Sequence, residues 1–108
     1  MRTIIVILTA LAVSRPAWCD EPETIDVTLA DHQFTPAEIH VPAGTQAQLR
    51  VTNRDAAAEE FDSSALKVEK VILPGQTATI HLRPLAPGRF PFMGEFHPDS
   101  AHGVVIAE

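Results

Sequence analysis

FTPAEIHVPAGTQAQLRVTN, Phe34 to Asn53, alternates apolar and polar residues twice over. Ile39 and Val41 alternate with Glu38 and His40, and Ala47, Leu49 and Val51 alternate with Gln48, Arg50 and Thr52. A period of two places one set of side chains in a core and the other in water, which predicts two half-buried strands. Pro42-Ala43-Gly44 supplies the turn between them, Phe34 the core anchor before them, and Asn53 the close.

The same period recurs outward from this stretch. Upstream, Ile25, Val27 and Leu29 alternate with Thr24, Asp26 and Thr28, and Asp31-His32-Gln33 reads as a turn. Downstream, Glu59-Glu60-Phe61 re-enters extended structure after a loop at 54–58. Ser63 to Leu73 suits either a capped turn of helix or a strand, with Val68, Val71 and Ile72 favouring the strand. Pro74-Gly75 marks a turn, Ala78, Ile80 and Leu82 alternate in a further strand, and Pro84 to Gly88 is a Pro/Gly loop. Arg89 to Met93 and Val104 to Ile106 are the last strands, with Pro91 expected at an edge or bulge. Seven or eight short strands with regularly spaced turns and little or no helix predict an all-β Greek-key sandwich.

The first residues carry a different signal. Arg2 precedes an apolar run, Thr3 to Val13, then Ser14, Arg15 and Pro16. That is the layout of a secretory signal peptide, and the run is too short to span a bilayer. Cleavage after Cys19, or alternatively after Ala17, leaves one domain over residues 20–108 and places it in the periplasm, with no transmembrane segment in the mature chain. A lipidated Cys19 is the competing reading, which the bulky Trp18 before it fits poorly. Without residues 1–19 the chain loses its single cysteine, so it has no disulfide and no thiolate for a metal. It keeps 6 Lys and Arg against 14 Asp and Glu, a net charge of −8 with neutral histidine. Such a surface repels nucleic acid and anionic lipid and gathers cations, although ordinary solubility explains many of these carboxylates.

The chemistry is concentrated in FPFMGEFHPDSAHG, Phe90 to Gly103. A thioether (Met93), two carboxylates (Glu95, Asp99) and two imidazoles (His97, His102) occupy one strand end and one tight loop. Soft and hard donors on a short loop between strands point to a metal site. Phe90, Phe92 and Gly94 share one face of the strand, while Pro91, Met93 and Glu95 share the other. Either the metal lies on the Met93/Glu95 face or Met93 is an apolar plug. Glu59 and Glu60, being adjacent, also point to opposite faces, so one of them faces the site. His32, His40 and His81 read as surface residues.

Several motifs in the order quoted resemble the cupredoxins. Phe34–Asn53 is similar to their F-x-P-x-x-I-x-V-x-x-G strands, and G-x-F-x-F, a loop and G-V-V-I are similar to their C-terminal ligand loop. The resemblance covers nearly all of residues 24–107. It is nearest to the cupredoxin-like components of bacterial ferrous-iron uptake, the EfeO-type and FtrB-like proteins, through EEF at Glu59–Phe61 and MGEFHPDSAHG at Met93–Gly103. The chain departs from the blue-copper pattern at three ligands. Gly94 stands at the cysteine position, Glu59 at the first histidine, and Ala101 or His102 at the methionine. Only His97 matches, so a blue-copper centre with its thiolate is not expected.

The resulting metal-ligand candidates are Glu59, Glu60, Met93, Glu95, His97 and His102. The spacing from Asn53 favours Glu59 and the EfeO-type pattern favours Glu60. The resemblance implies copper, with iron as a second ion. It further implies oxidation of Fe(II) to Fe(III) for an inner-membrane iron permease and a periplasmic iron-binding partner. A copper or iron carrier without redox turnover is the alternative, and a metal-free sandwich whose loop contacts a protein is a third. No Ser/His/Asp order, phosphate loop or activated cysteine supports hydrolysis.

Overall fold

Three phenylalanines from distant parts of the chain meet at the centre of the molecule. Phe61 and Phe92 stack with ring centroids 4.8 Å apart, and Phe34 meets both edge-on at 5.8 and 5.2 Å. Each comes from a different strand, and their convergence fixes how two sheets face one another. The computed structural model describes residues 22–108. The expected signal peptide and its cleavage positions lie outside the described residues.

Nine strands are present among the described residues. They are β1 (Glu23–Ala30), β2 (Gln33–Thr35), β3 (Glu38–Val41), β4 (Ala47–Asn53), β5 (Glu59–Ser63), β6 (Val68–Ile72), β7 (Thr77–Leu82), β8 (Gly88–Gly94) and β9 (His102–Ala107). One sheet runs β2-β1-β4-β7 and the other β3-β9-β8-β5-β6. The expected all-β sandwich is therefore the architecture. The ninth strand is β2, which pairs antiparallel with β1 through Leu29↔Phe34 and takes Gln33 out of the expected turn. Ser63 ends β5 and residues 64–67 form a turn before β6, so the helix reading of Ser63 is set aside. Ser63 instead donates from its hydroxyl to the Pro91 carbonyl (2.7 Å) and accepts from the Leu66 amide (2.9 Å). No helix among the described residues is long and apolar enough to cross a membrane.

Alternation in the sequence becomes burial in the sandwich. Val27 and Leu29 of β1, Leu49 and Val51 of β4, Ile80 and Leu82 of β7, and Ile39, Phe61, Phe92 and Val105 of the other sheet form one continuous core. Burying side chains of this size contributes about 1.5–3 kcal/mol each, which must offset the ordering of the chain.

Two features carry the core's order to the end of the sandwich where β1 and β4 finish side by side, with Leu29↔Asn53 in parallel register. Asn53 is wholly buried. It donates from Nδ2 to the carbonyls of Ala57 (2.9 Å) and Ile72 (3.0 Å), and its Oδ1 accepts the Asp55 amide (2.9 Å). At this same end, β1 turns into β2 through Asp31 and His32 alone, with φ of 51° and 56°. Two left-handed residues in a two-residue hairpin follow the strand twist, and Asp tolerates that conformation well. Pro91 lies in β8 beyond the last β5 pair, Asp62↔Met93, where β8 no longer needs its amide on that side.

Candidate metal centre

The loop between β8 and β9 is held by its own backbone. The Gly94 amide donates to Ala101 O (2.7 Å), His97 N to Gly94 O (3.1 Å) and Ala101 N to His97 O (2.9 Å), while Glu95 N reaches across to Glu60 O (2.9 Å). These bonds fix His97 above the end of β5. There Glu59, 2% exposed, is the largest buried charged side chain of the core. Its Oε2 accepts from His97 Nδ1 at 2.5 Å, and its Oε1 accepts the amides of Phe96 (2.8 Å) and Glu60 (3.1 Å). A carboxylate taken from water needs such partners, and three donors satisfy it here.

Gly94 explains why the carboxylate fits. A Cβ at that position would lie 2.6 Å from Glu59 Cδ and 2.8 Å from Ala101 Cβ. The space a side chain at 94 would fill is occupied by Glu59. Position 94 thus faces the interior end of the sandwich, as the strand alternation required, and Met93 and Glu95 face out from the other side of the sheet.

The third participant is His32. Its ring stacks on that of His97, with centroids 3.6 Å apart and planes 13° from parallel. Asp55 holds it there. One carboxylate oxygen accepts the Asp31 amide (2.7 Å) and the other the His32 amide (3.0 Å), with His32 Nδ1 3.4 Å from the latter. His32, Glu59 and His97 offer ligand atoms within 4.8 Å of one another. Two imidazoles and one carboxylate, without a thiolate, suit Cu(II), Fe(II) or Zn(II) rather than a blue-copper site. The side chains of His97 and His32 are 30% and 42% exposed, so the group is open to solvent at one end.

The sequence candidates separate into two groups. Glu59 and His97 are brought together, and His32, read from sequence as a surface residue, joins them. Glu60, on the opposite face of β5, gathers with Asp62, Glu69 and Glu95, their ligand oxygens again within 4.8 Å. Partial burial of Glu60, reinforced by the nearby Glu95, Glu69 and Asp62 carboxylates, raises its pKa above the usual carboxylate value. Met93 is 42% exposed and is no apolar plug; it pairs with His102 across β8 and β9 on this outer face. Asp99 and His102 line a shallow hollow beside Gln33 and Phe34. His40 and His81 lie on outward faces, as read. The missed residue, His32, gave one signal: a two-residue Asp-His step between alternating segments is a hairpin turn, and hairpin turns sit at sheet ends.

The chain is similar to known proteins in sequence and in fold. The chain is 39% identical over 82 residues to the protein RP394 of Rickettsia prowazekii (strain Madrid E), a match spanning 76% of this chain and 66% of that one. This chain therefore covers slightly under two thirds of the relative's length. Auracyanin A, a "blue" copper protein of Chloroflexus aurantiacus, superposes with a TM-score of 0.69 at 15% identity, over 82% of this chain and 100% of that one. The metal binding domain of the Cu(I) exporting P-type ATPase CopA of Streptococcus pneumoniae gives 0.67 at 17% identity, over 79% and 84%. These structures share the fold. The family model for the cupredoxin-like domain matches residues 3–107. By that match, over nearly its whole length, the chain belongs to the cupredoxin-like domain family.

Proposed function

We propose that this is an exported, periplasmic copper-binding protein of a ferrous-iron uptake system that oxidises Fe(II) to Fe(III) for an inner-membrane permease. One observation carries the reading. A His32/Glu59/His97 group around the buried Glu59 and an outer carboxylate group stand back to back on β5, contributed by the consecutive residues Glu59 and Glu60. The inner group has the donors for copper, and copper held there supplies a one-electron couple. The outer carboxylates attract Fe(II), the substrate, and favour the more highly charged Fe(III) product. The loop bonds around His97 hold its ring in place, and the buried Glu59 places a carboxylate at the inner group. Turnover requires a separate electron acceptor, and the ferric ion passes to a periplasmic iron-binding partner or to the permease.

The test is stopped-flow mixing of Fe(II) with copper-loaded and copper-free protein without oxygen. The expected result is one Fe(III) formed per Cu(II) present. Fe(II) loss no faster than in copper-free protein defeats the proposal. The solvent exposure of His97 and His32 favours a second reading, a copper or iron carrier without redox turnover, because a carrier must release its ion. That reading predicts a defined stoichiometry and rapid transfer to a chelator with no Fe(II) oxidation.

A further inference from the structure

On the outer face of the five-stranded sheet, three metal-capable side chains stand in one row across three strands. Asp62 of β5 pairs with Met93 of β8, and Met93 pairs with His102 of β9. Cross-strand partners share a face, with Cβ atoms about 4.5–5.5 Å apart. The thioether at the centre therefore has a carboxylate on one side and an imidazole on the other. The neighbours of Met93 along the strand, Phe92 and Gly94, are buried, so the row faces away from Glu59. Asp62, Met93 and His102 line one groove of about 400 Å³, together with Ser64, Pro91 and Pro98. Among the described residues, His32, His40 and His97 each have a carboxylate partner. The His102 ring does not, which leaves its nitrogens free for a ligand.

We propose that Met93 and His102, with Asp62 beside them, form a second metal site that takes Cu(I). The chemistry is specific. A thioether is a poor ligand for hard ions and a good one for Cu(I); an imidazole completes a low-coordinate set; the carboxylate offsets the charge of the ion. Gly103 makes the position possible. A Cβ there would lie 2.4 Å from the Phe92 ring and 2.5 Å from Ala37 O, so the bare backbone lets Phe92 pack inward while His102 is turned out. The site shares no residue with the His32/Glu59/His97 group; of the outer carboxylates assigned to Fe(II) it shares Asp62 alone, and its two main donors, Met93 and His102, belong to neither group.

Anaerobic titration of the purified protein with Cu(I), against a chromophoric competitor, tests the assignment. One equivalent is expected to weaken at least tenfold in Met93→Leu and in His102→Gln, and to persist in His97→Ala. X-ray absorption at one equivalent should show a sulfur neighbour that disappears in Met93→Leu. Both substituted side chains point outward, so the melting temperature of the metal-free variants should match the parent and exclude misfolding. Cu(I) binding and sulfur scattering unchanged in Met93→Leu overturn the site, as does loss of the equivalent only in His97→Ala. Failure of Fe(II) oxidation with this equivalent intact would count against the redox reading alone.

Discussion

The carboxylate of Glu59 occupies the volume that a side chain on Gly94 would take. The two residues are paired by exclusion, because a Cβ at 94 would come within 2.6 Å of Glu59 Cδ while Ala101 Cβ blocks retreat at 2.8 Å. Gly94→Ala should therefore destabilise the protein by about 1–3 kcal/mol, the range for overpacking a filled interior. For a domain of this size that lowers the melting temperature by roughly 5–20 °C. Shortening the opposing side chain in the double variant Gly94→Ala/Glu59→Ser should recover part of the loss, whereas Glu59→Ser alone leaves a cavity and unpaired amides. Additive melting temperatures across this cycle would refute the exclusion.

Glu59→Gln separates charge from shape. The amide oxygen can still accept from Phe96 and Glu60, so folding stability should change by no more than about 1 kcal/mol. The anion is gone, however, and a divalent ion between two imidazoles loses its only carboxylate. Cu(II) affinity by calorimetry should fall at least as far as in outer-shell substitutions, about 10–100-fold. Unaltered affinity would remove Glu59 from the ligand set and leave the buried pair with His97 as a structural device.

Asp55 touches neither His97 nor Glu59, yet it holds the turn that places His32. Asp55→Ala strips the acceptors from the amides of Asp31 and His32, both in left-handed conformation. The expected cost is about 1–3 kcal/mol of stability, with metal affinity lower by about 10–100-fold. Asp55→Asn keeps one acceptor and should lie between. The readout that isolates positioning is the His32 ring. Its NMR resonances carry the ring-current shift of the stacked His97 in the parent, and that shift should vanish in Asp55→Ala.

Much of this was legible in the residues, and the rest was hidden for physical reasons. Period two gave β1, β4 and β7 directly, because each has one face in the core. It also separated Glu59 from Glu60 and Gly94 from Met93, since adjacent residues on a strand cannot share a face. Phe34 and His97 stood out by their neighbours. His32 did not, because its partner lies 65 positions away and only the parallel register of β1 with β4 brings that turn to the ligand end. The outer carboxylate group was hidden likewise. Glu60 and Asp62 alternate visibly, but Glu69 joins them only through the β5–β6 register, Asp62↔Glu69, which periodicity does not specify.

His40 ties β3 to the end of β9 and makes part of the stability depend on pH. Its Nδ1 lies 2.7 Å from Glu108 Oε1 and its Nε2 3.1 Å from Glu38 Oε1. The hydrogen bond to Glu108 raises the imidazole above its ordinary 6.5; desolvation opposes it, and the charge of Glu108 followed by the hydrogen bond and charge of Glu38 add to the rise. A histidine with a raised folded-state pKa binds its proton more tightly when folded than when unfolded. Its stabilisation is thus fully present below about pH 6.5 and is lost as pH rises through the folded-state value. The group is solvent-exposed, so the effect is modest and is screened by salt. Thermal melts of the parent and His40→Gln should differ most near pH 6 and converge near pH 9, with the gap at pH 6 narrowing in 1 M salt. Taking the difference between the two proteins cancels the titrating groups that do not touch His40. A gap that stays constant across that range would mean the ring contributes packing alone, and the clasp between β3 and β9 would then be independent of its charge.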